Sequence, residues 1–116
     1  MEINLQNLQS IIEELKPFQA QLVAVSKTKS AKEINQAYLA GQKYFGENYA
    51  QEMEEKHLAL PKDIQWHFIG HLQSNKIKHI APYVSLIHSI DSIKFAADNL
   101  LPDCIFYRVY LFLLII

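Results

Sequence analysis

One lysine stands where a strand would hand the chain to a loop. Leu22-Val23-Ala24-Val25 is a short apolar run rich in β-branching, and Ser26-Lys27-Thr28-Lys29 follows it. A run of that length and composition predicts a buried strand over residues 22–26. The C-terminal ends of parallel strands are where α/β folds gather their chemistry. An amine placed there suits condensation with a carbonyl compound. Lysine is nucleophilic only when neutral, and apolar surroundings or a second cation raise the cost of its charged form. Lys29 shares a face with Lys27 as long as the backbone stays extended. Taken alone, a lysine after a strand is more often a solvated surface residue.

Three further polar clusters follow apolar runs in the same way. They are Gly46-Glu47-Asn48-Tyr49, His67-Phe68-Ile69-Gly70-His71-Leu72-Gln73-Ser74-Asn75-Lys76, and His88-Ser89-Ile90-Asp91-Ser92. Polar groups collected on one rim above apolar strands are the pattern of a site. Asn48 reads either as a partner for a bound ring substituent or as the N-cap of the next helix. His67 reads as an ordering residue ahead of a proton carrier, with packing beside Trp66 as the structural alternative. His71, Gln73, Ser74 and Asn75 suit the mouth of such a site, and Ser74 equally suits a helix cap. His67 and His71 are four apart, but Gly70 between them predicts a turn, which argues against a metal pair. Tyr38, Tyr44, Phe45, Met53 and Ile77 read as core, and His57 and His79 as solvated helix positions.

The elements that must position these residues alternate along the chain. Leu5, Leu8, Ile12 and Leu15 form a helical stripe that Pro17 ends. After the first strand, Ser30-Ala31-Lys32-Glu33 fits a capping box for a helix carrying Ile34 and Tyr38, and Gly41 suits its C-terminal cap. Lys43-Tyr44-Phe45 predicts a second strand, followed by a helix with Tyr49, Met53 and His57. Ile64–Ile69 predicts a third, then a short helix from Ser74 that Pro82 closes. Val84–Ile90 predicts a fourth, and Asp91 caps a helix with Ile93, Ala97 and Leu100. Helix, then strand and helix four times, argues for a parallel sheet with helical crossovers. Four such units are half of an eight-stranded barrel.

Composition narrows the functional classes. The chain has 116 residues, of which 50% are hydrophobic and 20% charged, as one packed domain requires. A formal net charge of -1 gives no electrostatic case for nucleic acid or an anionic membrane. One cysteine, Cys104, excludes an internal disulfide, and no basic and apolar leader opens the chain, so a reduced cytoplasmic setting is expected. Residues 101–116 differ in kind. From Cys104 to Ile116 they are apolar without helical or alternating order, and Arg108 interrupts them short of a membrane span of about 20 residues. Part of this tail suits a fifth buried strand, and a low-charge β-rich end is an aggregation hazard.

The rim clusters resemble one family closely. Ala24-Val25-Ser26-Lys27-Thr28-Lys29, Phe45-Gly46-Glu47-Asn48-Tyr49-Ala50-Gln51-Glu52, the run from Trp66 to Lys76, and His88-Ser89-Ile90-Asp91-Ser92 look like the pyridoxal phosphate homeostasis proteins, relatives of the N-terminal barrel of alanine racemase. The likeness covers about residues 5–100, so residues 1–100 are expected to be the N-terminal half of that barrel. It implies a partial (β/α)8 barrel of fold type III, the first four to five βα units. It implies pyridoxal 5'-phosphate held as an internal aldimine on Lys27, and the rim positions of Asn48, His67 and Ser74 make them the candidates to line the cofactor.

The implied function is a non-catalytic role in vitamin B6 and amino-acid homeostasis, with pyridoxal-phosphate-dependent apo-enzymes as recipients. The alternatives are an amino-acid racemase, a class I aldolase using Lys27 on a sugar phosphate, and an inert fragment. The alanine racemase relatives take the second proton carrier of two-base racemisation from an additional domain, which is not expected in this chain. The family continues with further units whose last loops bind the phosphate. A truncated or frameshifted reading frame is expected, with weak or absent cofactor binding, open sheet edges, and poor solubility unless two copies associate edge to edge.

Overall fold

The computed structural model describes residues 4–88 and 111–115. Helix α1 spans Leu5–Leu15, and Asn4 caps it by accepting the Asn7 N–H. Pro17 falls in the 3-10 turn Lys16–Phe18 that ends it. Strand β1 (Gln21–Val25) leads to α2 (Ala31–Leu39), β2 (Tyr44–Glu47), α3 (Ala50–Ala59) and β3 (Gln65–Phe68). A 3-10 turn over Ser74–His79 then precedes the two-residue β4 (Leu86–Ile87), and β5 (Leu111–Ile115) is formed by the tail. The fourth strand is thus shorter than expected, and the helix expected after Asp91 lies outside the described residues.

Local chemistry explains the helix ends. The Ser30 side chain accepts the Glu33 N–H, the first half of the expected capping box. Gly41 takes φ +108° just past α2, the left-handed position where a side chain is penalised.

The sheet order is β4-β3-β2-β1-β5, and every pairing is parallel. Sequential neighbours joined by helices give the βαβ geometry that the alternation implied. The tail pairs with β1, with Gln21 opposite Leu111 and Val25 opposite Ile115, so the sheet's edges are β4 and β5. Sequence order alone would have set the fifth strand beside the fourth.

One face of the sheet carries the core. Leu22, Ala24, Phe45, Trp66 and Phe68 pack with Leu8 and Leu15 of α1, Ile34 and Ala37 of α2, and Met53 of α3. Side chains alternate along a strand, so Val23, Val25, Gly46 and His67 belong to the opposite face. Gly46 shows this directly, since a Cβ there would meet Val23 and Ile69. Phe45, Met53 and Ile77 are buried as expected, and Tyr38 and Tyr44 are half-buried.

Candidate functional site

The end of β1 is a tight turn. The Ser26 N–H donates to the Gly46 carbonyl at 3.0 Å, the last rung between β1 and β2. The chain then reverses, and the Lys29 N–H donates back to the Ser26 carbonyl at 3.0 Å. Lys27 and Thr28 are the middle of that turn. Thr28 takes φ +66°, a left-handed conformation that glycine or asparagine ordinarily fills. For a β-branched residue this costs about 1–3 kcal/mol and persists only where its surroundings hold it. The backbone here is a turn and not extended, so the condition for Lys29 to share a face with Lys27 is not met. Lys29 is directed to Glu33 of α2, with Nζ 3.9 Å from Oε2, and does not run on along Lys27's face.

A buried charge network holds the turn from below. Lys56 of α3 donates through Nζ to the Ser26 carbonyl at 2.8 Å, to both Glu47 oxygens at 3.0 Å, and to Glu52 Oε1 at 2.7 Å. The same Glu52 oxygen accepts the Thr28 N–H at 3.0 Å, and the Ser26 hydroxyl donates to Glu47. Glu47 has no exposed surface. Burial pushes its carboxyl above the ordinary value, against the Ser26 hydroxyl and the Lys56 ammonium, which favour the charged form. Burial also acts to raise Glu52, but hydrogen bonds from Lys56 and the Thr28 N–H outweigh it and leave that carboxyl below its ordinary value.

Sequence reasoning gave Glu47 and Lys56 no role. The available signal was parity. Glu47 lies two residues after Phe45 on the helix-facing side of β2, so it must meet a cation there. Glu52 and Lys56 at i,i+4 on α3 offered one.

The rest of the rim is more open. Val25 pairs with Gly46, so Lys27 and Asn48 each stand two residues beyond a paired position on neighbouring strands. Lys27 and Asn48 are both half-buried. The N-cap of α3 is Tyr49, not Asn48, and Asn48 Oδ1 is buried with no hydrogen-bond partner among the described residues. Gly70 lies hard against the Asn48 backbone. A Cβ on it would sit 2.3 Å from the Asn48 carbonyl oxygen. A cleft of about 430 Å³ opens beside this contact, lined by Asn48, Tyr49, Phe68, His71, Gln73 and Lys76 among others. Ser74 and Asn75 are exposed and do not line it. Nor is Ser74 a cap, since Gln73 holds that position without a side-chain bond.

His67 pairs with Gly46 and so sits one step deeper than Asn48. It is buried on the face opposite Trp66, edge-on to Tyr44, with Nδ1 3.1 Å from His88 Nε2. Burial first, and the neighbouring His88 second, lower its pKa from 6.5 to about 4. His88 is lowered by burial as well. The pair is therefore neutral near pH 7, one ring donating to the other. Two other histidines correct the expectation of solvated positions. His57 stacks on Tyr83 at 3.8 Å between centroids, and His79 is half-buried 3.2 Å from Glu54. Among the described residues no three His, Cys, Asp or Glu side chains are grouped to hold a metal ion, and no helix is long and apolar enough to cross a membrane.

No family model matches this chain. Individual proteins do. Over 90 residues it is 44% identical to the pyridoxal phosphate homeostasis protein of Bos taurus, covering 72% of this chain and 33% of that one. Over 72 residues it is 53% identical to the protein of the same name from Schizosaccharomyces pombe, covering 62% and 30%. PipY of Synechococcus elongatus, solved with PLP bound, superposes with a TM-score of 0.72 at 43% identity, over 80% of this chain and 44% of PipY. The matched stretch is similar to the pyridoxal phosphate homeostasis proteins of these organisms and to PipY. The chain spans about a third of the length of the curated relatives it matches. With PipY as the frame, the parallel α/β sheet is part of a (β/α)8 barrel, as its four regular βα units had implied.

Proposed function

We propose that this chain carries pyridoxal 5'-phosphate on the Lys27 amine and serves vitamin B6 and amino-acid homeostasis in the cytoplasm, with pyridoxal-phosphate-dependent apo-enzymes as recipients. One observation carries the reading. An amine stands on a held turn at the C-terminal end of a parallel strand, in a chain 43% identical to a protein solved with PLP bound. The residues fit the aldehyde and ring end of that group. Lys27 supplies the amine, and Asn48 Oδ1, just past the next strand and without a hydrogen-bond partner among the described residues, supplies an acceptor. His67, held neutral by burial, orders the floor beneath them. Ser74 stands at the outer rim of the proposed set. When bound, the cofactor would supply an electrophilic carbon and an electron-withdrawing ring. The role is carriage and not turnover, with residues 1–100 as the barrel part and 101–116 as an appended tail.

Titration of the chain with pyridoxal 5'-phosphate, alongside Lys27→Ala, tests this. A near-visible absorbance band present in the wild type, absent in the variant, and fixed by borohydride on the peptide containing Lys27 is the expected result. A band that survives Lys27→Ala overturns the assignment, and racemisation of an amino acid with turnover overturns the carrier role.

A further inference from the structure

The turn that presents Lys27 is tied to α3 on both of its sides. On one side Lys56 Nζ donates to the Ser26 carbonyl, which already accepts the Lys29 N–H. On the other, Glu52 Oε1 accepts the Thr28 N–H and the Lys56 ammonium together. Glu47, anchored in β2 and fully buried, holds Lys56 in place. A buried ion pair needed only for docking α3 on the sheet has no reason to reach past it to two backbone groups that bracket one lysine. Thr28, with its φ of +66°, is the residue most in need of such support.

We propose that Glu52 and Lys56 are positioning residues for the Lys27 amine, holding a strained turn that would otherwise relax and swing the amine away. The inference rests on Lys27 being the reactive amine, and goes beyond it by naming what sets its direction. The strain at Thr28 and the clamp from α3 act together, so removing the strain makes the clamp dispensable. Glycine at position 28 accepts a positive φ without support. Glutamine at position 52 keeps an oxygen for the Thr28 N–H, whereas alanine does not.

The experiment uses the full chain, with pyridoxal 5'-phosphate as the probe and borohydride as the reductant that fixes it. The fraction modified at Lys27 is read by peptide mapping at fixed times, and thermal melts run in parallel. Glu52→Ala is expected to lower modification of Lys27 about tenfold, the scale of a small misplacement of a reacting group. Glu52→Gln should retain most of it, and Thr28→Gly added to Glu52→Ala should restore most of it. A purely structural role moves the melt and leaves the double variant as poor as the single one, which overturns the proposal. Wild-type modification in a folded Glu52→Ala overturns it too. Should Glu52→Ala not fold, Glu52→Gln and the double variant decide by the same criteria. Failure of the wild type to react at Lys27, with other lysines modified, refutes the Lys27 assignment and with it this proposal. A reactive wild type with unchanged variants refutes this proposal alone.

Discussion

The two halves of the strand-end rim are built on different physics. At the ends of β1 and β2, four charged or polar side chains close on one another and on the backbone, and the turn around Lys27 is tied from both sides. At the ends of β3 and β4 the His67–His88 pair is kept neutral by burial, and past β3 a cleft opens whose lining includes Asn48 from the end of β2 but not Lys27. The first half fixes where an amine stands. The second leaves room unfilled. A site of this kind needs both, because rigidity everywhere admits no ligand and openness everywhere orients none.

The sharpest break of this contrast comes from Glu47→Ala, which takes from the buried Lys56 ammonium its fully buried carboxylate partner. A loss of about 3 kcal/mol is expected from urea unfolding, the low end for breaking a buried pair, because Glu52 still faces the ammonium. A loss under 1 kcal/mol would show the charged half to be no more constrained than the open one. On the other side, Gly70→Ala forces a Cβ into the Asn48 carbonyl. It should cost about 3 kcal/mol, the upper range of overpacking, with the same readout. A neutral outcome would mean that the β2–α3 connection moves freely over β3.

The histidine pair gives a pH signature. The folded pKa of His67 is about 4 against an ordinary 6.5, so the unfolded chain binds the proton first as pH falls. Stability is full above about pH 6.5 and is lost progressively toward pH 4, by about 3 kcal/mol for this group. His67→Gln should flatten urea midpoints over that window, and an unchanged slope would remove His67 as the cause. The smallest effect is expected away from the rim's interior. Ser30→Ala removes the cap of α2 and should cost about 1 kcal/mol, without altering Lys27's reactivity.

The same contrast separates what could be read in advance from what could not. Capping by Ser30, the stop at Gly41 and the alternation of strand and helix are local, each decided within a few residues. They were legible, and so was a lysine placed just past an apolar strand. The turn at Lys27 is not legible in the sequence, because Thr28 is a poor residue for a positive φ. Only a partner 24 residues away, Glu52, makes that conformation tenable. His57 was misread because its helix position looks solvated until Tyr83 covers it.

By itself the sequence determined the order and type of the elements, the family likeness and the position of the amine, because periodicity, turn chemistry and short motifs are encoded in neighbours. Tertiary structure alone decided that Lys56 joins Glu47, Glu52 and Ser26, that Asn48 Oδ1 has no hydrogen-bond partner among the described residues, and that residues 111–115 pair with β1 and not β4. Those outcomes depend on which buried polar groups packing brings within about 3 Å, and each such group must find its partner wherever the fold places one.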